Sequence, residues 1–174
     1  TWTGKNVGYK RIFGGQVMAQ TLVAAYKTVD AEHYAHSFHS YFLRPGNMEK
    51  SITFTVDRIR DGKSFTTRSV KAIQDGEAIF NCSISFQKRE IGLEHQIDMP
   101  NVPEPETLKS EQEVREEILK ELNMKKDDMP MFIKQREIEM RPVEKQNYFK
   151  PERMPPFKNT WIKTGGKLPD DQVI

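Results

Sequence analysis

A glycine pair, two histidines and a group of basic residues are the parts of this chain whose types and spacing could do chemistry. Gly14 and Gly15 open a helical run that begins at Phe13, and Gln16 follows them. Backbone N–H groups at a helix start are unshielded and favour negative charge, and glycine lets a ligand approach closely. The pair could therefore hold a developing oxyanion, or it could merely admit the loop against the first strand. Gln16 could hydrogen-bond a carbonyl or supply simple polarity at a helix start. His36 could act as a base or a ligand contact, or be a satisfied, partly buried histidine, while His39 reads as structural. Three apart on a strand, the two histidines point to opposite faces, so they share no metal site. Arg60, Lys63 and Arg68 gather around Asp61-Gly62, where they could meet an anionic ligand or be solvated charges at a turn.

The elements that must position these residues are legible from periodicity. From Phe13 to Lys27, apolar residues recur at Met18, Leu22 and Ala25 and again at Val23 and Tyr26, one wide face at 3.6 residues per turn. The density of small residues (Gly14, Gly15, Ala19, Ala24, Ala25) predicts a helix buried on most sides under a sheet. Four strand-like runs follow, His33–Leu43, Ile52–Ile59, Ser64–Gln74 and Glu77–Lys88, the last two connections marked by Asp61-Gly62 and Asp75-Gly76. That order predicts an α+β fold in which a long antiparallel meander wraps around one helix. Pro100, Pro103 and Pro105 then forbid regular structure and predict an extended linker. Ser110-Glu111-Gln112-Glu113 reads as a capping box opening a helix to about Leu122, with Val114, Ile118, Leu119 and Leu122 on one face. Alternation from Glu137 to Val143 and around Trp161 predicts two more strands, and Leu168-Pro169-Asp170-Asp171 reads as the start of another helix.

Composition bounds the function classes. The 174 residues carry 27 Lys+Arg against 25 Asp+Glu, a net charge of +2 with no one-sided basic surface, which gives no case for nucleic-acid binding. The single cysteine, Cys82, excludes an internal disulfide framework and reads as a reduced, buried thiol. No apolar run approaches the roughly 20 residues that span a bilayer.

Several motifs occur together and in order: Arg11-Ile12-Phe13-Gly14-Gly15-Gln16, His36-Ser37-Phe38-His39-Ser40-Tyr41-Phe42-Leu43-Arg44-Pro45-Gly46, Arg60-Asp61-Gly62-Lys63-Ser64-Phe65, Arg68-Ser69-Val70, Ile84-Ser85-Phe86-Gln87, Glu94-His95-Gln96, Arg141-Pro142-Val143-Glu144 and Trp161-Ile162-Lys163. In this the chain strongly resembles the acyl-CoA thioesterase II family, bacterial thioesterase II and the eukaryotic peroxisomal enzyme among its members. The resemblance implies a hotdog fold, duplicated in tandem. It divides the chain into an N-terminal hotdog domain (1–90), a linker with a connector helix (91–135) and the opening strands of a second, incomplete hotdog (136–174). It implies hydrolysis of acyl-CoA to fatty acid and coenzyme A by an activated water, without metal or separate cofactor, coenzyme A being part of the substrate. The family's catalytic Asp, hydroxyl and Gln belong to the second domain and match no position here, so the catalytic set is expected beyond this chain and His36 is the remaining candidate within it. Gly14, Gly15, Gln16, Arg60, Lys63 and Arg68 are then candidate substrate contacts, the cations for coenzyme A phosphates. Pairing with another hotdog is expected, as is a peroxisomal location in a eukaryote or a cytoplasmic one otherwise. The alternative reading is a non-catalytic hotdog module for acyl-CoA binding or assembly. A hydratase is disfavoured, because no Asn-Pro lies between Asp30 and His36.

Overall fold

A computed structural model describes residues 11–124, 138–144 and 152–168. Two compact units divide near residue 94. The first contains helix α1 (Gly14–Tyr26) and strands β1 (His33–Phe42), β2 (Thr53–Asp61), β3 (Phe65–Gln74) and β4 (Glu77–Lys88). All pairings are antiparallel, and the spatial order is β1-β4-β3-β2. Only β2, β3 and β4 form a meander, therefore; β1 lies beyond β4, and the segment leaving it must cross to the opposite edge. The strand runs expected from alternation were correct, but alternation carries no information about which strands are neighbours.

Asp75 and Gly76 form the two-residue turn between β3 and β4, with φ of 51° and 80°. Positive φ at both central residues matches the right-handed twist of the flanking strands and explains the Asp-Gly choice. On β3 the even residues Thr66 to Gln74 are buried, as are Phe80, Cys82, Ile84 and Phe86 on β4. This inner face covers α1. The fully buried stripe on the helix is Val17, Thr21 and Ala25; of the expected face, Ala25, Leu22 and Tyr26 pack on the core while Met18 is exposed. Thr21 belongs in the stripe because its hydroxyl donates to Val17 O at 2.7 Å, which satisfies the only polar group it buries. The helix thus buries one face rather than most of its circumference. The fold is the hotdog that the resemblance implied: one sheet curved around one helix.

Arg68 departs most from expectation. It is not at a solvated turn but on the inner face of β3, 1% exposed. All five of its N–H groups are engaged. Nε donates to Thr28 Oγ1 (2.8 Å), Nη1 to the carbonyls of Arg60 and Thr67 (both 3.0 Å), and Nη2 to Thr28 O (2.8 Å) and the Asp61 carboxylate. Thr28 in turn donates its hydroxyl to Ala25 O at 2.8 Å, so one guanidinium ties the end of α1 to the β2–β3 hairpin.

The second unit holds helix α2 (Glu111–Glu121) and the antiparallel pair β5 (Ile138–Pro142) and β6 (Thr160–Thr164). The capping box forms as read, Ser110 Oγ accepting from Glu113 N while the Glu113 carboxylate accepts from Ser110 N. That bond holds the Glu113 carboxyl below its ordinary range. Ile118 and Leu119 are the buried pair, whereas Leu122 is partly open at the helix end. The proline-rich segment is extended except for a single 3-10 turn at Pro105–Thr107, where proline occupies a first-turn position that needs no N–H. Arg141 donates to the carbonyls of Pro105 (2.9 Å) and Leu108 (2.8 Å), and Trp161 Nε1 to Pro103 O (3.0 Å), fixing the linker on this unit. The helix start expected at Leu168–Asp171 lies, past Leu168, outside the described residues.

Replacing Arg68 with Met is expected to destabilise the first unit by about 3 kcal/mol, because the acceptors of a buried guanidinium lose their donors. Lys at the same position should not rescue it, since an ammonium lacks the planar five-donor fork. Thermal melts of the two variants check this; parent-like melting of either would mean the tie contributes little. Burial also pushes the Cys82 thiol up to about 11. Native protein at pH 8 should therefore resist a disulfide-exchange reagent that labels the unfolded chain at once.

Candidate functional site

The start of α1 has none of the usual caps. Phe13 occupies the N-cap position, no side chain among the described residues bonds the first-turn N–H groups, and no acidic residue sits in that turn. Gln16 N donates to Phe13 O at 3.0 Å, while no partner for the N–H of Gly14 or Gly15 occurs among the described residues. Two aromatic rings crowd the glycines. A Cβ on Gly14 would lie 2.8 Å from Phe42 Cζ, and one on Gly15 would lie 2.5 Å from the Phe13 ring. The glycines admit these rings, both more than half exposed. The anchorage of the helix start comes from Ile12 N donating to Gly46 O at 3.0 Å and from the Arg11–Asn47 bridge. Phe42 in turn packs on buried Phe80, centroids 4.9 Å apart.

Arg60 and Lys63 lie elsewhere. They belong to the β2–β3 hairpin, which Arg68 ties to Thr28 beyond the other end of the helix. Thirteen helical residues separate the two ends by roughly 20 Å. The six substrate-contact candidates thus fall into a neutral donor group at the helix start (Gly14, Gly15, Gln16) and an exposed cationic pair at the far end (Arg60, Lys63). Arg68 drops out, its donors all being used internally. Arg44 is likewise occupied, by Glu77 (3.1 Å) and Ala78 O (2.9 Å).

The histidines required a correction. The β1–β4 register shifts between Ala35 and Ser37, a bulge that interrupts side-chain alternation. His36 consequently lies on the outer face of the sheet, where its Nε2 meets Ser85 Oγ at 2.9 Å and its ring meets Phe65 edge-on at 5.9 Å. His39 pairs with Ser83 on that same face. The two do not point to opposite faces after all, yet no group of three or more metal-ligating side chains occurs among the described residues. Beside the bulge, Ala35 N donates to the Tyr26 hydroxyl at 2.9 Å, linking it to α1. Sequence reading missed Ser85 because a bulge leaves no reliable mark in composition. It also passed over His33, which is 3% exposed with both ring nitrogens unpartnered among the described residues.

Residues 3–87 match the family model of the acyl-CoA thioesterase N-terminal domain. Human acyl-coenzyme A thioesterase 8 is 37% identical over 165 residues, covering 91% of this chain and 51% of that protein. Acyl-CoA thioesterase 2 of Haemophilus influenzae is 37% identical over 174 residues, covering 98% and 59%. Among solved structures, the acyl-CoA thioesterase II TesB2 of Mycobacterium marinum superposes with a TM-score of 0.68 at 35% identity, over 92% of this chain and 54% of that one. The chain thus spans somewhat more than half the length of these relatives, and it belongs to the acyl-CoA thioesterase family, whose N-terminal hotdog domain it carries.

Proposed function

We propose that the polypeptide to which this chain belongs hydrolyses acyl-CoA thioesters to free fatty acid and coenzyme A. The observation that carries the proposal is the sustained similarity to acyl-CoA thioesterases along nearly the whole chain. Water adds to the thioester carbonyl, charge gathers on its oxygen, and the C–S bond breaks to release the thiolate. Such a step needs a base for the water and donors for the oxyanion. In this reading the base is an aspartate of the second hotdog domain. Gly14 and Gly15 offer N–H groups to the carbonyl oxygen, and Gln16 an amide to the same carbonyl or to the pantetheine arm. Arg60 and Lys63 receive the phosphates. Coenzyme A carries its phosphates and its thioester at opposite ends of a long arm, which suits contacts roughly 20 Å apart at the two ends of α1.

No metal or separate cofactor enters this scheme. Both edges of the sheet, β1 and β2, lack a strand neighbour among the described residues, which supports pairing with another hotdog within the same polypeptide or between copies. The compartment follows the source, peroxisome in a eukaryote and cytoplasm otherwise. The second reading is a non-catalytic acyl-CoA-binding module. It draws on one observation, that the first turn of α1 carries no carboxylate to activate water.

In a polypeptide extended through the second domain, Arg60→Ala combined with Lys63→Ala should raise KM for decanoyl-CoA about tenfold with kcat retained, the loss of one or two charge-assisted contacts. Hydrolysis of the N-acetylcysteamine thioester of decanoate, which has no phosphates, should be unchanged. Equal losses on both substrates, or no loss on either, would remove the two cations from the binding site.

A further inference from the structure

The outer face of the sheet carries a nucleophile–base pair that the thioesterase reading does not use. Ser85 Oγ lies 2.9 Å from His36 Nε2, within the range for direct proton transfer. The bulge at Ala35–Ser37 is what turns the imidazole toward it, and the Phe65 ring braces the imidazole edge-on, planes at 73°. By register, Ser85 stands opposite Ser37 on one side and Thr67 on the other, and Gln87, next along the same face, stands opposite Phe65. The hydroxyls of Ser37 and Thr67 therefore flank the serine at cross-strand spacing, about 5 Å between Cβ atoms, and the Gln87 amide is the next side chain along its own strand. One register step further along, His39 stands opposite Ser83, yet no hydrogen bond joins those two among the described residues. The sheet thus supplies a bonded pair and an unbonded one for comparison.

We propose that Ser85 is an acyl acceptor, with His36 as its general base, toward short activated acyl esters and thioesters. The Ser85 Oγ–H proton passes to His36 Nε2 as Oγ bonds to the acyl carbon. The bond from that carbon to the leaving oxygen or sulfur then breaks, and the leaving group takes the proton from His36. The product is an O-acylserine that persists. A phenyl ring and not a carboxylate orients His36, so the expected chemistry is one slow equivalent and not rapid turnover. The proposal is independent of the acyl-CoA reading, because its probe contains no coenzyme A.

The 174-residue chain is incubated with p-nitrophenyl acetate. Release of p-nitrophenol is followed alongside the intact mass and the mass of the peptide containing Ser85. The expected result is a single equivalent released and one acetyl group on Ser85. Ser85→Ala should abolish that adduct, His36→Gln should slow its formation about a hundredfold, and Ser83→Ala should leave it unchanged. Thermal melts establish that each variant is folded, and Ser85→Cys, which keeps a nucleophile in place, should still acquire the acetyl group if Ser85→Ala is unstable. Acetylation confined to lysines or to Tyr41, or an adduct on Ser85 that His36→Gln does not slow, would overturn the assignment.

Discussion

The first unit depends on the need for one curved sheet to cover one helix. Val70, Ala72, Phe80, Ile84 and Phe86 bury completely or nearly so against the Val17–Thr21–Ala25 stripe. The apolar area removed from water there dominates the stability of the unit. The helix leaves polar backbone groups without intrahelical partners at both of its ends. The two ends are handled in opposite ways. At the C-terminal end, the buried Arg68 guanidinium uses all its donors on half-buried Thr28, the hairpin carbonyls and the exposed Asp61 carboxylate. At the N-terminal end, aromatic rings rest on two glycines and no side chain among the described residues caps the N–H groups.

That asymmetry distinguishes the two ends of a single helix. The satisfied end ties to the helix the hairpin that carries Arg60 and Lys63. The other end, where the N–H groups of Gly14 and Gly15 have no partner among the described residues, is where the proposed function places the thioester carbonyl. The same helix also shapes the outer face of the sheet. Tyr26 packs edge-on against Phe86, centroids 5.0 Å apart, and its hydroxyl accepts from Ala35 beside the bulge that reorients His36. A core aromatic and a surface histidine are thus connected through one backbone N–H.

Periodicity and turn chemistry revealed much of this in advance. The helix, the six strands and the capping box at Ser110 were legible because each is a local pattern of side-chain type. The neighbour order β1-β4-β3-β2 was not legible, since alternation says which face a residue takes and nothing about which strand lies beside it. Arg68 was misplaced for a related reason. An arginine near a turn normally stays in solvent, and only the three-dimensional meeting of Thr28, Arg60 and Asp61 makes its burial tolerable. The faces of His36 and His39 were misassigned because one extra residue in β1 reverses alternation. Of the proposed contacts, the glycine pair was visible from its position at a helix start. Ser85 was hidden because its partner is 49 residues away in sequence.

The measurement that tests the central claim most directly is thiol release from decanoyl-CoA, comparing this chain with a polypeptide extended through the second hotdog domain. The account predicts sustained turnover from the extended protein and no more than one equivalent of thiol from the 174-residue chain. Multiple turnovers by the short chain would contradict it by placing the complete catalytic set within residues 1–174, and silence from both would leave a binding module in place of an enzyme.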